Sequence, residues 1–97
     1  MTDQQHELDM AAQIEAELAR LRVADVLLHT ASTVASLAYR RLAEEEPDLD
    51  QVRLAIESLR ALVPLLEGAV PESVLRDFRQ VTANLQLAYA AAVPAGD

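Results

Sequence analysis

Between Asp25 and Arg40 the chain reads Val26-Leu-Leu-His-Thr-Ala-Ser-Thr-Val-Ala-Ser-Leu-Ala-Tyr39, without one formally charged residue. A helix at a protein surface normally covers one apolar stripe and exposes a charged face. Because no face of this stretch carries charge, most of its circumference must be covered by other helices. A chain of 97 residues has little material for that cover, since small domains bury a smaller share of their surface. The stretch therefore predicts a central helix that is partly covered by a second copy or by another protein.

Two apolar rows run along this helix in steps of three and four, the spacing of a helix face. The first row is rich in alanine and consists of Ala24, Leu28, Ala31, Ala35, Ala38 and Leu42. The second row points roughly the other way and consists of Val23, Leu27, Thr30, Val34 and Leu37. Two apolar faces predict two neighbours, one of which the alanines allow to approach closely. The residues that we predict to contact a second copy are Leu27, Leu28, Ala31, Val34, Ala35 and Ala38.

The first helix is predicted over about residues 3–46, because neither glycine nor proline occurs before Pro47 and proline stops a helix. Before residue 22 only one face is apolar, with the row Ala11, Ile14, Leu18 and Leu21. This part is expected to be peripheral. The change of pattern is consistent with a break near residue 22, so residues 1–22 either continue the rod or form a helix of their own.

Two further helices are predicted in the second half. One covers about residues 49–66 and begins after Asp48, a residue type that caps helix N-termini. The other covers about residues 71–92 and begins with Pro71, which suits the first position of a helix. Residues 94–97 are a tail.

These segments predict an all-α fold in which residues 1–93 form a single helical domain. The expected architecture is a three-helix antiparallel bundle with a long N-terminal helix, or a four-helix bundle if that helix breaks near residue 22. We expect dimerisation to complete the bundle.

Composition excludes several functional classes. The formal net charge of −8 argues against nucleic-acid partners, which bind basic patches, and against acidic membrane surfaces. The chain has no cysteine, so disulfides and cysteine-based zinc sites are excluded, and a cytoplasmic location is expected. No signal peptide is expected either, because the N-terminus is polar and acidic. The 14-residue uncharged stretch would span about 21 Å as a helix, which is too short to cross a bilayer.

Few residues could carry chemistry. Asp25 and His29 lie one helical turn apart and form either a pH-sensitive latch, half of a metal site, or simply an ion pair within the helix. Two ligands are too few for a zinc site, so no metal and no cofactor is predicted. The acidic residues between 44 and 50 lack the glycine and ligand spacing of a calcium loop and are expected to form a solvated turn. Without a nucleophile and base at suitable spacing, we predict that the protein is not an enzyme.

The second half carries a pattern of apolar residues that is shared with a bacterial family. Its residues are Asp48-Leu49, Val52, Ile56-Glu57, Leu59 and Leu62, followed by Phe78, Val81, Leu85 and Tyr89. Over residues 23–91 this layout resembles the small uncharacterised family known as domain of unknown function family 1844. The chain departs from that family at residues 63–68, at Glu57 and at Gln86. The resemblance implies a cytoplasmic, all-helical bacterial protein without an assigned activity, and it implies no functional residues.

The function predicted from these features is a small helical interaction module that acts through homo-oligomerisation, as a homodimer. Two alternatives stay open. The exposed apolar helix face could bind a different protein, as adaptor grooves bind helices, or the helices could enclose an apolar small molecule as a carrier does.

Overall fold

The computed structural model describes residues 3–94, which form four α-helices and no strand. The helices are α1 (Asp3–Arg20), α2 (Val23–Leu42), α3 (Leu49–Leu62) and α4 (Glu72–Ala92), and a short 3₁₀ turn (Val63–Leu66) continues α3. The predicted all-α fold is confirmed. Of the predicted tail, Pro94 lies outside the helices, and residues 95–97 lie outside the described part of the chain.

The first predicted helix is divided into α1 and α2 by Leu21 and Arg22. The backbone N–H of Leu21 still donates to the carbonyl of Glu17 at 3.2 Å. Arg22 is extended, with φ −94° and ψ 146°, and its backbone N–H donates to Oδ2 of Asp25 at 3.4 Å. The break near residue 22 is therefore confirmed, and the Asp25 carboxylate accepts a hydrogen bond from the residue at the break.

The helix α2 ends at Leu42, before the predicted limit of residue 46. Three consecutive acidic residues, Glu44 to Glu46, follow, and negative charge at a helix C-terminus opposes the helix dipole. Glu44 instead accepts a hydrogen bond from Nη1 of Arg41 at 2.6 Å. That hydrogen bond, with the attraction of the carboxylate, raises the pKa of Arg41.

The helix α3 begins where the sequence predicts, with the Asp48 carboxylate accepting the backbone N–H of Gln51 at 3.3 Å. Its α-helical part ends at Leu62 rather than at 66, because Pro64 has no N–H for a helical hydrogen bond. The chain tightens into the 3₁₀ turn and then reverses at Gly68, whose φ of +79° favours glycine. The helix α4 follows directly after Pro71.

The core is formed by α2, α3, the 3₁₀ turn and α4, which all contact one another. Its buried apolar residues are Ala31, Ala35, Ala38, Val52, Ile56, Leu59, Val63, Leu66, Leu75 and Leu85. The α2 side contributes only alanines to this set, so that the larger side chains of its neighbours pack close to the α2 backbone. The one buried polar side chain among the described residues, Thr82, donates its hydroxyl to the carbonyl of Phe78 at 2.7 Å.

The helix α1 lies outside this core. All of its residues are exposed, and it makes no contact with α2, α3, α4 or the 3₁₀ turn. The molecule measures 66 × 34 × 16 Å, with a radius of gyration of 18.5 Å, whereas a compact chain of this size has a radius of about 13 Å. We therefore call α1 the arm and residues 23–94 the body.

Candidate interaction surface

The structure places the predicted interface residues in two different environments. Ala31, Ala35 and Ala38 are at most 8% exposed because α3 and α4 cover them within the same chain. This burial corrects their assignment as contacts to a second copy. Their small side chains do allow a neighbouring helix to approach closely, but the neighbours are helices of the same chain. The other three predicted residues, Leu27, Leu28 and Val34, are half-buried and pack against the core, and their contact with a second copy stays a prediction.

The second apolar row of α2 lies at the edge of the body rather than in its core. We call this row the flank, and it comprises Val23, Leu27, Thr30, Val34 and Leu37. Val23 is 75% exposed, Leu37 is 48% exposed, and Thr30 is also exposed. The uncharged stretch therefore has one covered side and one side that is apolar and open to solvent.

The hydroxyl groups beside the flank are already hydrogen-bonded within α2. Oγ1 of Thr30 donates to the carbonyl of Val26 at 2.8 Å, and Oγ1 of Thr33 donates to the carbonyl of His29 at 3.0 Å. A polar group costs much less to bury when its hydrogen bond is made. This part of α2 can therefore be covered by an apolar partner without leaving these donors unpaired.

At its C-terminal end the flank opens into a groove between α2 and α3. The groove has a volume of about 210 Å³ and is lined by Val34, Leu37, Ala38, Arg41, Gln51, Leu54, Ala55 and Ser58. Leu54, on its α3 side, is 59% exposed, and Oγ of Ser58 donates to the Leu54 carbonyl at 2.8 Å. The groove thus joins apolar surface from both helices to the flank.

The arm carries the second exposed apolar surface. Its large apolar side chains are each about half exposed or more, and they are Leu8, Met10, Ile14 and Leu18, with Leu21 at the end of the arm. Ala11, Ile14 and Leu18 line one shallow depression, which shows that they share a face. The sequence contains this row, and its restriction to one helix face was a signal that a partner could cover it. The predicted interface residues nevertheless all lie in α2 and do not include the row.

Charge is distributed unequally between the arm and α2. The arm has one arginine, Arg20, and its acidic residues are Asp3, Glu7, Asp9, Glu15 and Glu17. The helix α2 has no acidic residue after Asp25 and ends with Arg40 and Arg41. Arg40 forms no ion pair with another described residue, and it lies on the outer surface of α2 with Thr33 and Leu37.

Asp25 and His29 do not form an ion pair in the described part of the chain; the Asp25 carboxylate instead accepts from the Arg22 N–H. Within residues 3–94, no cluster of three or more His, Cys, Asp or Glu side chains is arranged to hold a metal ion. In the acidic turn, Glu44 pairs with Arg41 and Asp48 caps α3. These contacts explain both carboxylates by their part in the local structure.

No protein-family model, curated protein or solved structure matches this chain significantly. The resemblance to family 1844 therefore stays a prediction. None of the helices between residues 3 and 94 combines the length and apolar character needed to cross a membrane.

Proposed function

We propose that this protein is a small helical interaction module that acts by self-association, with a homodimer as the functional form. The observation that carries the proposal is the arm, an 18-residue helix with an apolar row and no contact with the body. Most helical stability in proteins comes from packing of an apolar face rather than from the intrinsic propensity of the helix, and the arm has no such packing within its own chain. Contiguous exposed apolar surface also marks interaction sites. A partner that covers the row would stabilise the arm and remove this surface from water.

The assembly mass and a pair of arm variants test this proposal. We expect size-exclusion chromatography with light scattering to give twice the chain mass of 10.6 kDa. Leu18→Lys places a charge in the apolar row and should shift the protein to the monomer mass. Ala16→Lys is the matched control, because position 16 lies on the opposite side of the arm, and it should remain dimeric. A wild-type monomer at high micromolar concentration would exclude self-association.

The two alternatives have weaker support. An adaptor would use the same arm for a different protein, and native mass spectrometry would then find a monomer that binds a second chain in stoichiometric amount. A carrier needs a site that surrounds its ligand, whereas the α2/α3 groove is lined by residues of only two helices. The proposal involves no catalytic step, cofactor or metal, and it places the protein in the cytoplasm, consistent with its lack of cysteine.

A further inference from the structure

We propose that the arm of each copy docks along the flank of a second copy, so that two chains exchange arms about a two-fold axis. This inference rests on the proposed self-association and specifies its geometry. Each body of three helices would gain the partner's arm as a fourth helix. The arm and the flank are the two exposed apolar surfaces described above, and each would cover the other.

The spacings of the two rows match when the helices run antiparallel. The arm row advances by three, four and three residues, and the flank read backwards from Leu37 advances by the same steps. Such alternation keeps two rows in register along a helix pair. The resulting layers pair Ala11 with Leu37, Ile14 with Val34, Leu18 with Thr30, and Leu21 with Leu27 of the second copy. The Ala11 layer contains a small residue, and the Leu18 layer contains a threonine whose hydroxyl is already bonded. The other two layers pair large apolar side chains.

Charge complementarity supports the same register. One further step along both helices places Glu7 opposite Arg41 of the second copy and beside Arg40. Arg41 also pairs with Glu44 of its own chain, whereas Arg40 has no ion pair with a described residue. Along the rest of its length, the acidic arm would face a stretch of α2 that contains no acidic residue between Asp25 and Glu44. Antiparallel pairing of two arms with each other would instead bring Glu15 and Glu17 of both copies together near the axis, where like charges repel.

The residues that join the arm to α2 favour docking of the arm on a second copy over docking on the chain's own body. In this register Leu21 faces Leu27, so an arm that folded back on its own α2 would need residues 22–26 as a loop. Those residues form the start of α2, where the Val26 N–H donates to the Arg22 carbonyl at 3.3 Å and Asp25 holds the Arg22 N–H. Closure within one chain would break this turn, whereas exchange with a second copy leaves it intact. Exchange of one element between identical chains is a common route to dimers.

A designed disulfide tests the register directly, because the chain has no cysteine of its own. In the double variant Leu18→Cys/Thr30→Cys both positions are exposed, so the body should remain folded, as circular dichroism can verify. Facing positions of packed helices meet the Cα separation of under about 7 Å that a disulfide needs. We expect oxidation of a mixture of ¹⁵N-labelled and unlabelled chains to give a covalent dimer. Mass spectrometry should find position 18 of one chain linked to position 30 of the other.

Two controls identify the competing arrangements. Ala16→Cys/Thr30→Cys should not cross-link, because position 16 faces away from the apolar row. Leu18→Cys alone should not cross-link, because in this arrangement each position 18 faces position 30 of the other copy and the two arms do not face each other. Cross-linking by Leu18→Cys alone would replace arm exchange with pairing of the two arms. A link within one chain would replace it with closure on the chain's own body.

Light scattering separates the failure of this inference from that of the proposed function. A dimer in which positions 18 and 30 do not link between chains would overturn arm exchange and leave self-association standing. A wild-type monomer would overturn both.

Discussion

Leu65 and Leu66 are neighbours in the 3₁₀ turn and differ completely in burial. Leu66 is fully buried beneath α2, α3 and α4, whereas Leu65 is 65% exposed. Removing a buried leucine side chain loses its transfer free energy and leaves a cavity, which costs about 2–5 kcal/mol. Removing an exposed leucine side chain loses little transfer free energy and leaves no cavity.

The pair therefore gives a prediction with its control built in. Leu66→Ala should lower the free energy of unfolding by about 2–5 kcal/mol, while Leu65→Ala should change it by less than about 0.5 kcal/mol. Urea denaturation followed by circular dichroism measures both under the same conditions. Equal losses for the two variants would contradict the burial of Leu66 and the exposure of Leu65.

At the scale of the elements, the helix content of the arm should depend on association. Leu18→Lys and Ala16→Lys both introduce lysine at exposed positions of α1, and lysine, leucine and alanine are all good helix formers. Their intrinsic effects on the helix are therefore small and similar. Only the change at position 18 interrupts the apolar row, so it should unwind the arm by removing its partner.

We expect Leu18→Lys to show weaker helical ellipticity at 222 nm than Ala16→Lys at the same concentration. The difference should disappear when both proteins are diluted until they are monomeric. Equal ellipticity at a concentration at which only Ala16→Lys is dimeric would mean that the arm is helical without a partner.

At the scale of the whole molecule, arm exchange would couple the stability of the body to protein concentration. A partner that binds only the folded state stabilises it by mass action. Because the docked arm covers the flank and the α2/α3 groove, the Tm of the body should rise with concentration in the wild type. The Leu18→Lys variant should show a Tm that does not change with concentration.

Calorimetry over a hundredfold range of concentration measures this dependence. If the arms paired only with each other, the contact would not involve the body, and its Tm would stay constant even though the protein is a dimer. A constant Tm together with a dimer mass would thus contradict docking on the flank.

The sequence by itself determined the all-α class and the positions where α3 and α4 begin, because the signals for a helix start are local. Pro47 and Pro71 cannot continue a helix from the preceding residue, and Asp48 caps α3 through a contact only three residues away. The break near residue 22 could also be read from the sequence, since the apolar pattern changes from one face to two there. The end of α2 at Leu42 was predicted too late, although the three acidic residues that follow were an available signal.

Only the tertiary structure decided which apolar face each neighbour covers. Periodicity shows that a face must be covered, but the pattern is the same whether the cover comes from the same chain or from a partner. The row of Ala31, Ala35 and Ala38 was predicted to contact a second copy. In the structure this row is buried where α2 packs against α3 and α4. The apolar row of the arm was expected to be peripheral, and the structure leaves it without any cover. Both outcomes depend on contacts between residues distant in sequence, which local spacing does not encode.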